Sequence, residues 1–298
     1  MDIKNIYIIG AGLMGGGIAQ VGILNGFEVT MISRSMESLN RSKAVIEKNL
    51  KKDIKRGLLT EEAAEEALKH LSLTPDMTAV KDADLVIESV YENMELKKQI
   101  FSQLSDLCRE DIILATNTSA ISVTSLASVV KNPSRVCGMH FVSPVPKMPL
   151  MEIVKSIVTS SETIAIAREI GEAMGKRCII SKDSPAFLLN RMLLPMINEG
   201  SNLVEVGIGS IEDVDAAMRI GLNHPMGPLE IVDAAGIDVI YSAICAIHNE
   251  TNDPKYKPSL LMGNMVRMGW IGKKAGKGYY IYNEDGTKTP NPDINNVF

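Results

Sequence analysis

Gly10, Gly12 and Gly15 stand at G-x-G-x-x-G spacing, between a short apolar run (Asn5 to Ile9) and a helical pattern opening at Gly17-Ile18-Ala19-Gln20-Val21. A dinucleotide site needs that spacing. The first glycine allows a tight turn off a strand, the second lets the backbone approach a pyrophosphate, and the third lets helix and strand pack closely. The helix then presents unpaired N–H groups and its positive dipole end to the phosphates. Glycine-rich turns also serve as plain packing turns. Here a strand precedes, a helix comes after and a second apolar strand lies at Glu28 to Ile32, which is the context a dinucleotide-binding unit requires. Gly10, Gly12, Leu13, Met14 and Gly15 are accordingly the expected cofactor contacts.

The residues just past the second strand bear on which dinucleotide is bound. A site for NAD normally carries Asp or Glu there, about twenty residues past the glycines, to accept from the ribose 2′-OH. This chain has Ser33-Arg34, with Arg41 and Lys43 nearby. A carboxylate repels a 2′-phosphate, whereas a hydroxyl and a guanidinium bind one, the latter through charge-assisted hydrogen bonds. The expected cofactor is NADP(H), read through Ser33 and Arg34. If Arg34 is only a solvated loop residue, NAD(H) is the alternative.

Further strands are expected at Ala83 to Val90, Asp111 to Ala115, Val136 to Val142, Met151 to Val154 and Arg177 to Ser181. Near-continuous runs such as Leu85-Val86-Ile87 suit strands buried on both faces. With helices between them, they predict an α/β fold: a Rossmann-like, doubly wound, mostly parallel sheet. The charged stretch near 43–70 reads as a helical excursion broken at Gly57, a hairpin projecting from the sheet. After Asp183-Ser184-Pro185 the strand signals stop. The chain therefore divides into a dinucleotide-binding domain over 1–188 and an all-helical domain over 189–298, with Gly269 onward a glycine- and lysine-rich tail whose polar end is frayed.

Composition excludes some partners. A net charge of −5 points away from nucleic acid and anionic membranes, and no apolar run suits a membrane span. Cys108, Cys137, Cys178 and Cys245 are scattered without metal-ligand spacing and read as reduced thiols of a cytoplasmic protein that binds no metal.

His140 ends the run Val136 to Phe141, just before Ser143-Pro144-Val145-Pro146. Ligands of open α/β sheets bind at the carboxyl ends of strands. A histidine there suits proton exchange in a hydroxyl–ketone interconversion, and Glu152 of the next strand could hold its other nitrogen. A strand-end histidine bonded only to backbone is the alternative. Thr116-Asn117-Thr118-Ser119 ends another strand on the same edge; its side chains can bond a ribose or a substrate oxygen, or merely cap the next helix. Asn190 comes just after the domain boundary. Lys48, Lys52 and Arg56 share one helical face, Lys51 and Lys55 an adjacent one; such a stripe is either solvated or holds phosphates of a coenzyme-A-type substrate. His224, in a proline-bracketed turn, reads as structural.

These residues together resemble the single-function 3-hydroxyacyl-CoA dehydrogenases, and within them the bacterial 3-hydroxybutyryl-CoA branch. The likeness spans essentially the whole chain. It runs through Gly10-Ala11-Gly12-Leu13-Met14-Gly15, Asn117-Thr118-Ser119, Gly138-Met139-His140-Phe141, Asp183-Ser184-Pro185 with Asn190-Arg191, Asn223-His224-Pro225-Met226-Gly227-Pro228 and Gly276-Lys277-Gly278-Tyr279. The resemblance implies interconversion of (S)-3-hydroxyacyl-CoA and 3-ketoacyl-CoA, with acetoacetyl-CoA as substrate. It makes His140 the acid–base, Glu152 its partner, and Ser119 and Asn190 the contacts of the reacting oxygen and thioester. It sets Glu92, Lys97 and Asn117 near the cofactor, and makes the helical domain the surface of a homodimer. Two positions depart from the family: Ser33 stands where Asp is usual, and Ser143 stands where Asn commonly follows His-Phe-Phe, keeping one hydrogen bond to cofactor or substrate at most. A β-hydroxyacid dehydrogenase would need a lysine where the chain reads Ala186-Phe187-Leu188-Leu189-Asn190, and a non-enzymatic, crystallin-like role sits poorly with Ser119, His140, Glu152 and Asn190 all present.

Overall fold

Eight strands form one sheet in the computed structural model, which describes residues 3–295. They are β1 (Asn5–Ile9), β2 (Glu28–Ile32), β3 (Leu71–Thr74), β4 (Leu85–Glu88), β5 (Ile113–Thr116), β6 (Val136–Phe141), β7 (Leu150–Lys155) and β8 (Arg177–Lys182). Their spatial order is β3-β2-β1-β4-β5-β6-β7-β8, and every neighbouring pair is parallel except β6 with β7. The order reverses at β1, with β2 on one side and β4 on the other; that crevice is where such sheets bind ligands.

Alternation along the strands sorts side chains onto the two faces. Ile6 and Ile8 of β1 share a core with helices α1 (Leu13–Leu24), α2 (Met36–Lys55) and α3 (Glu61–Lys69). Ile9 of β1 and Val86 of β4 pack on the other face, against α4 (Met94–Leu107) and α5 (Val123–Ala127), while α6 (Ser161–Ala173) returns to the first face. The sheet is doubly wound, with helices on both sides.

β3 has no counterpart among the expected strands, because four residues alternating Leu with Ser or Thr are too short to show a pattern. The helical excursion begins earlier than expected, at Met36, where the Ser35 hydroxyl caps α2 by accepting from Ser38 N. Gly57 does separate the two helices, at φ +69°. The hairpin does not simply project. Leu39, Ile46 and Leu50 of α2 and Ala64 and Ala67 of α3 are buried in the core of β1 and β2, while the opposite faces of both helices and the tip around Leu58 stand in solvent.

The chain divides into two compact units, Met1–Phe187 and Leu188–Phe298. The second holds α7 (Leu189–Glu205), α8 (Ile211–Gly221), α9 (Pro228–Ala235), α10 (Ile237–Thr251) and α11 (Leu260–Arg267). Helices dominate it, but the region read as a tail contains an antiparallel pair, β9 (Tyr280–Tyr282) and β10 (Lys288–Pro290). A buried carboxylate fastens that hairpin. Asp233 of α9 accepts from Tyr279 N (3.0 Å), Tyr280 N (2.9 Å) and the Tyr282 hydroxyl (3.1 Å), and Tyr280 donates to Asp215 (2.6 Å). Burial pushes the Asp233 carboxyl up to about 6 in spite of those donors. The end expected to fray, 296–298, lies outside the described residues. Among the described residues no single helix is long and apolar enough to cross a membrane.

Candidate active site

The glycine turn is built as its spacing requires. Gly10 has φ +124°, and a Cβ there would run into the Ser89 carbonyl of the β4 end. A Cβ on Gly15 would strike the Gly10 carbonyl, so helix α1 can approach β1 only with glycine. Gly12 differs: a Cβ on it meets nothing within 4 Å. Gly12 is also the N-cap of α1 and offers no side-chain cap, so no cap side chain occupies the first-turn N–H groups at Leu13 and Met14. Uncapped donors, an open approach and the switch point between β1 and β4 together fit the pyrophosphate of a nicotinamide dinucleotide.

At the end of β2, the Ser33 hydroxyl lies 2.9 Å from that of Ser38, in the first turn of α2. Arg34 is exposed. Arg41 is engaged with Glu37 at 2.8 Å, both in solvent, and Lys43 lies 4.0 Å from Glu47.

The ends of β4 and β5 are joined by a polar network that is only partly legible in the sequence. The Lys97 ammonium is buried and donates to both oxygens of the equally buried Glu88 (2.7 and 2.9 Å), with Glu92 at 3.3 Å. Glu88 also accepts from Thr116 Oγ1 (2.8 Å) and Val90 N (2.6 Å). Glu92 in turn accepts from Ser119 N (2.9 Å), Thr118 Oγ1 (2.8 Å) and, at 3.4 Å, the Ser119 hydroxyl. Asn117 accepts from Phe141 N (2.9 Å), tying β5 to the end of β6. Lys97 thus organises the strand ends from inside. Its partner Glu88 is absent from the expected site residues; the signal for it is a carboxylate closing an otherwise apolar strand, Leu85–Glu88, which cannot be buried charged without a cation.

His140 and Glu152 are register partners across the antiparallel β6–β7 pair. Nδ1 and Oε2 lie 3.4 Å apart, with side-chain exposures of 9% and 0%. Directly opposed residues share one face of a sheet, so the register itself brings the two together. The Phe187 ring stands edge-on to the imidazole at 5.9 Å between centroids.

Ser143 is exposed and lines a pocket of about 280 Å³ with Gly12, Met14, Arg41 and Asn49. Its loop is anchored by Lys176, which donates to Val145 O (2.6 Å) and Met148 O (2.9 Å). Lys51 and Lys55 lie along an open groove on α2 together with Lys48, Lys52 and Glu47. Asn190 falls in the first turn of α7, in the second unit.

A glycine turn at the switch point of a doubly wound sheet marks a nicotinamide-dependent oxidoreductase, and comparison with known proteins narrows the class. Residues 5–184 match the NAD binding domain of 3-hydroxyacyl-CoA dehydrogenase, and residues 187–282 match its C-terminal domain. The chain belongs to the 3-hydroxyacyl-CoA dehydrogenase family. It is 42% identical to a probable 3-hydroxybutyryl-CoA dehydrogenase of Deinococcus radiodurans, over 92% of this chain and 99% of that one. A 3-hydroxybutyryl-CoA dehydrogenase of Clostridioides difficile is 40% identical over 93% and 99%. Among solved structures, (S)-3-hydroxybutyryl-CoA dehydrogenase PaaH1 from Ralstonia eutropha superposes with a TM-score of 0.93 at 38% identity, covering 95% of this chain and 100% of that one.

Proposed function

We propose that the protein interconverts acetoacetyl-CoA and (S)-3-hydroxybutyryl-CoA, with His140 as general acid–base. The observation that carries this reading is the buried His140–Glu152 pair at the sheet edge that also bears the glycine turn. The names of the relatives support the substrate class. The nicotinamide dinucleotide that the Gly10–Gly15 turn would hold would supply the hydride for reduction and accept it in oxidation. With Nδ1 turned to Glu152, Nε2 of His140 donates a proton to the carbonyl oxygen as that oxygen gains charge, and takes it back in the reverse direction. Glu152 fixes the ring's orientation and stabilises the imidazolium. Ser119, whose backbone Glu92 holds, donates a further hydrogen bond to the developing charge. Asn190 offers a carboxamide to the thioester region, and Lys51 and Lys55 offer cations to the coenzyme's phosphates.

Ser33 and the exposed Arg34 favour NADP(H), since neither repels a 2′-phosphate. The description of the matching domain as NAD binding favours NAD(H) as the second reading. A homodimer through the helical unit completes the proposal: Met196, Leu203, Ile208 and Met218 line an apolar groove there.

Acetoacetyl-CoA reduction followed by absorbance, with NADPH and NADH in parallel, tests the reading. Turnover favouring NADPH is expected. A higher kcat/KM with NADH would keep the reaction and discard the Ser33–Arg34 argument. His140→Gln should lower kcat by about 10²–10⁴-fold with cofactor binding intact; near-normal turnover would refute the acid–base assignment.

A further inference from the structure

We propose that Phe187 is a positioning residue for His140, held in place by a strained turn at the end of the first unit. The proposal rests on the reading of His140 as the acid–base. Ala186 (φ 61°) and Phe187 (φ 54°) are consecutive left-handed residues, neither is glycine, and both are buried. That conformation is unfavourable for a side chain bearing a Cβ, and it persists only where the surroundings over-determine it.

The surroundings do so at both ends of the segment. The Asp183 carboxylate accepts from Ser122 Oγ (2.8 Å) and Thr124 N (2.7 Å), which pins the start of the segment to the N-terminal end of α5. Phe187 N donates to Ser184 O (2.8 Å), closing the turn. The ring then enters the apolar cluster that includes Val123 of α5 and Val154 of β7. From there it meets the imidazole edge-on, with the planes at 60°.

His140 needs such a neighbour. Glu152 meets the ring at Nδ1, and at 3.4 Å that contact is long. Torsion about the bond to an aromatic ring has a broad, shallow profile, so one long contact leaves the imidazole free to swing. Phe187 packs its flank, limits the swing, and with β7 keeps His140 only 7% exposed. The turn uses left-handed backbone to aim the ring at that flank. Phe187 touches no reacting atom; it acts through His140.

The test measures kcat and KM for acetoacetyl-CoA in wild type, Phe187→Leu, Phe187→Met, His140→Ala and His140→Ala/Phe187→Leu, with a thermal melt of each. Phe187→Leu should lower kcat about tenfold, the scale of a slightly misplaced catalytic group. Its KM values should stay within about twofold, the mark of an effect confined to the transition state. Phe187→Met, of similar volume but unbranched and able to adapt to the gap, should behave alike and serves if the leucine variant does not fold. In the His140→Ala background the Phe187 change should leave residual turnover unaltered, because its route of action is gone. Wild-type kcat in both Phe187 variants, or equal losses in both backgrounds, would overturn the proposal, the latter by showing a merely structural role. If His140→Ala itself keeps near-normal turnover, the acid–base reading fails and carries this proposal with it, an outcome set apart by that one variant.

Discussion

At the scale of single residues, the three glycines of the first turn carry different constraints and should fail differently. Gly12 faces open space, so Gly12→Ala should fold normally. Its methyl would stand where a pyrophosphate approaches, weakening cofactor binding about tenfold or more, roughly 1.4 kcal/mol. Gly10→Ala meets the Ser89 carbonyl and a positive φ, and should cost on the order of 1–3 kcal/mol of stability. Cofactor titration by fluorescence together with thermal melts checks both; equal loss of stability in the two variants would contradict the geometry. Spacing makes these glycines legible in the sequence. His140 and Glu152 are legible too, since strand position alone sets them near one another. Glu88 is legible only as a carboxylate ending an apolar strand, and its partner Lys97 is not read from that signal; Phe187 is not legible, because a contact made by tertiary packing leaves no periodic pattern.

At the scale of elements, the buried strands announce themselves through Val, Ile and Leu runs, whereas β3 and the β9–β10 hairpin do not. The hairpin is held by carboxylates of other elements, Asp215 and above all Asp233, and not by a pattern in its own sequence, and its glycines and lysines read as tail. A pH dependence arises from the Asp233 carboxylate. Burial raises Asp233 from 3.8 to about 6. A carboxyl that holds its proton more tightly folded than unfolded contributes stability that is full below the unfolded value and lost as pH rises through the folded one. The contribution is on the order of 3 kcal/mol. Asp233→Asn cannot titrate, so the stability gap between wild type and variant should shrink from pH 4 to pH 6.5. Urea unfolding at intervals across that range measures it, and a constant gap would rule the argument out.

At the scale of the whole molecule, an apolar surface on the second unit asks for a partner of like chemistry. Ile208 lines its groove and is 73% exposed, with Ile220 and Leu222 also standing in solvent. Exposed apolar patches of that kind mark interfaces. Light scattering should find twice the 32.4 kDa chain mass for wild type and a single chain for Ile208→Asp; a wild-type monomer would sink the homodimer.

The antiparallel pairing of β6 with β7 has a consequence for how such an enzyme can change. Since strand register sets His140 opposite Glu152, the pair proposed to carry the proton is insulated from the stretch that joins the two strands, residues 142–149. That stretch borders the pocket, and Lys176 staples it at Val145 and Met148. It is therefore a graft point. A segment borrowed from a relative with a different appetite for acyl groups could be spliced between the strands, and provided the staple were kept, His140 would still face Glu152.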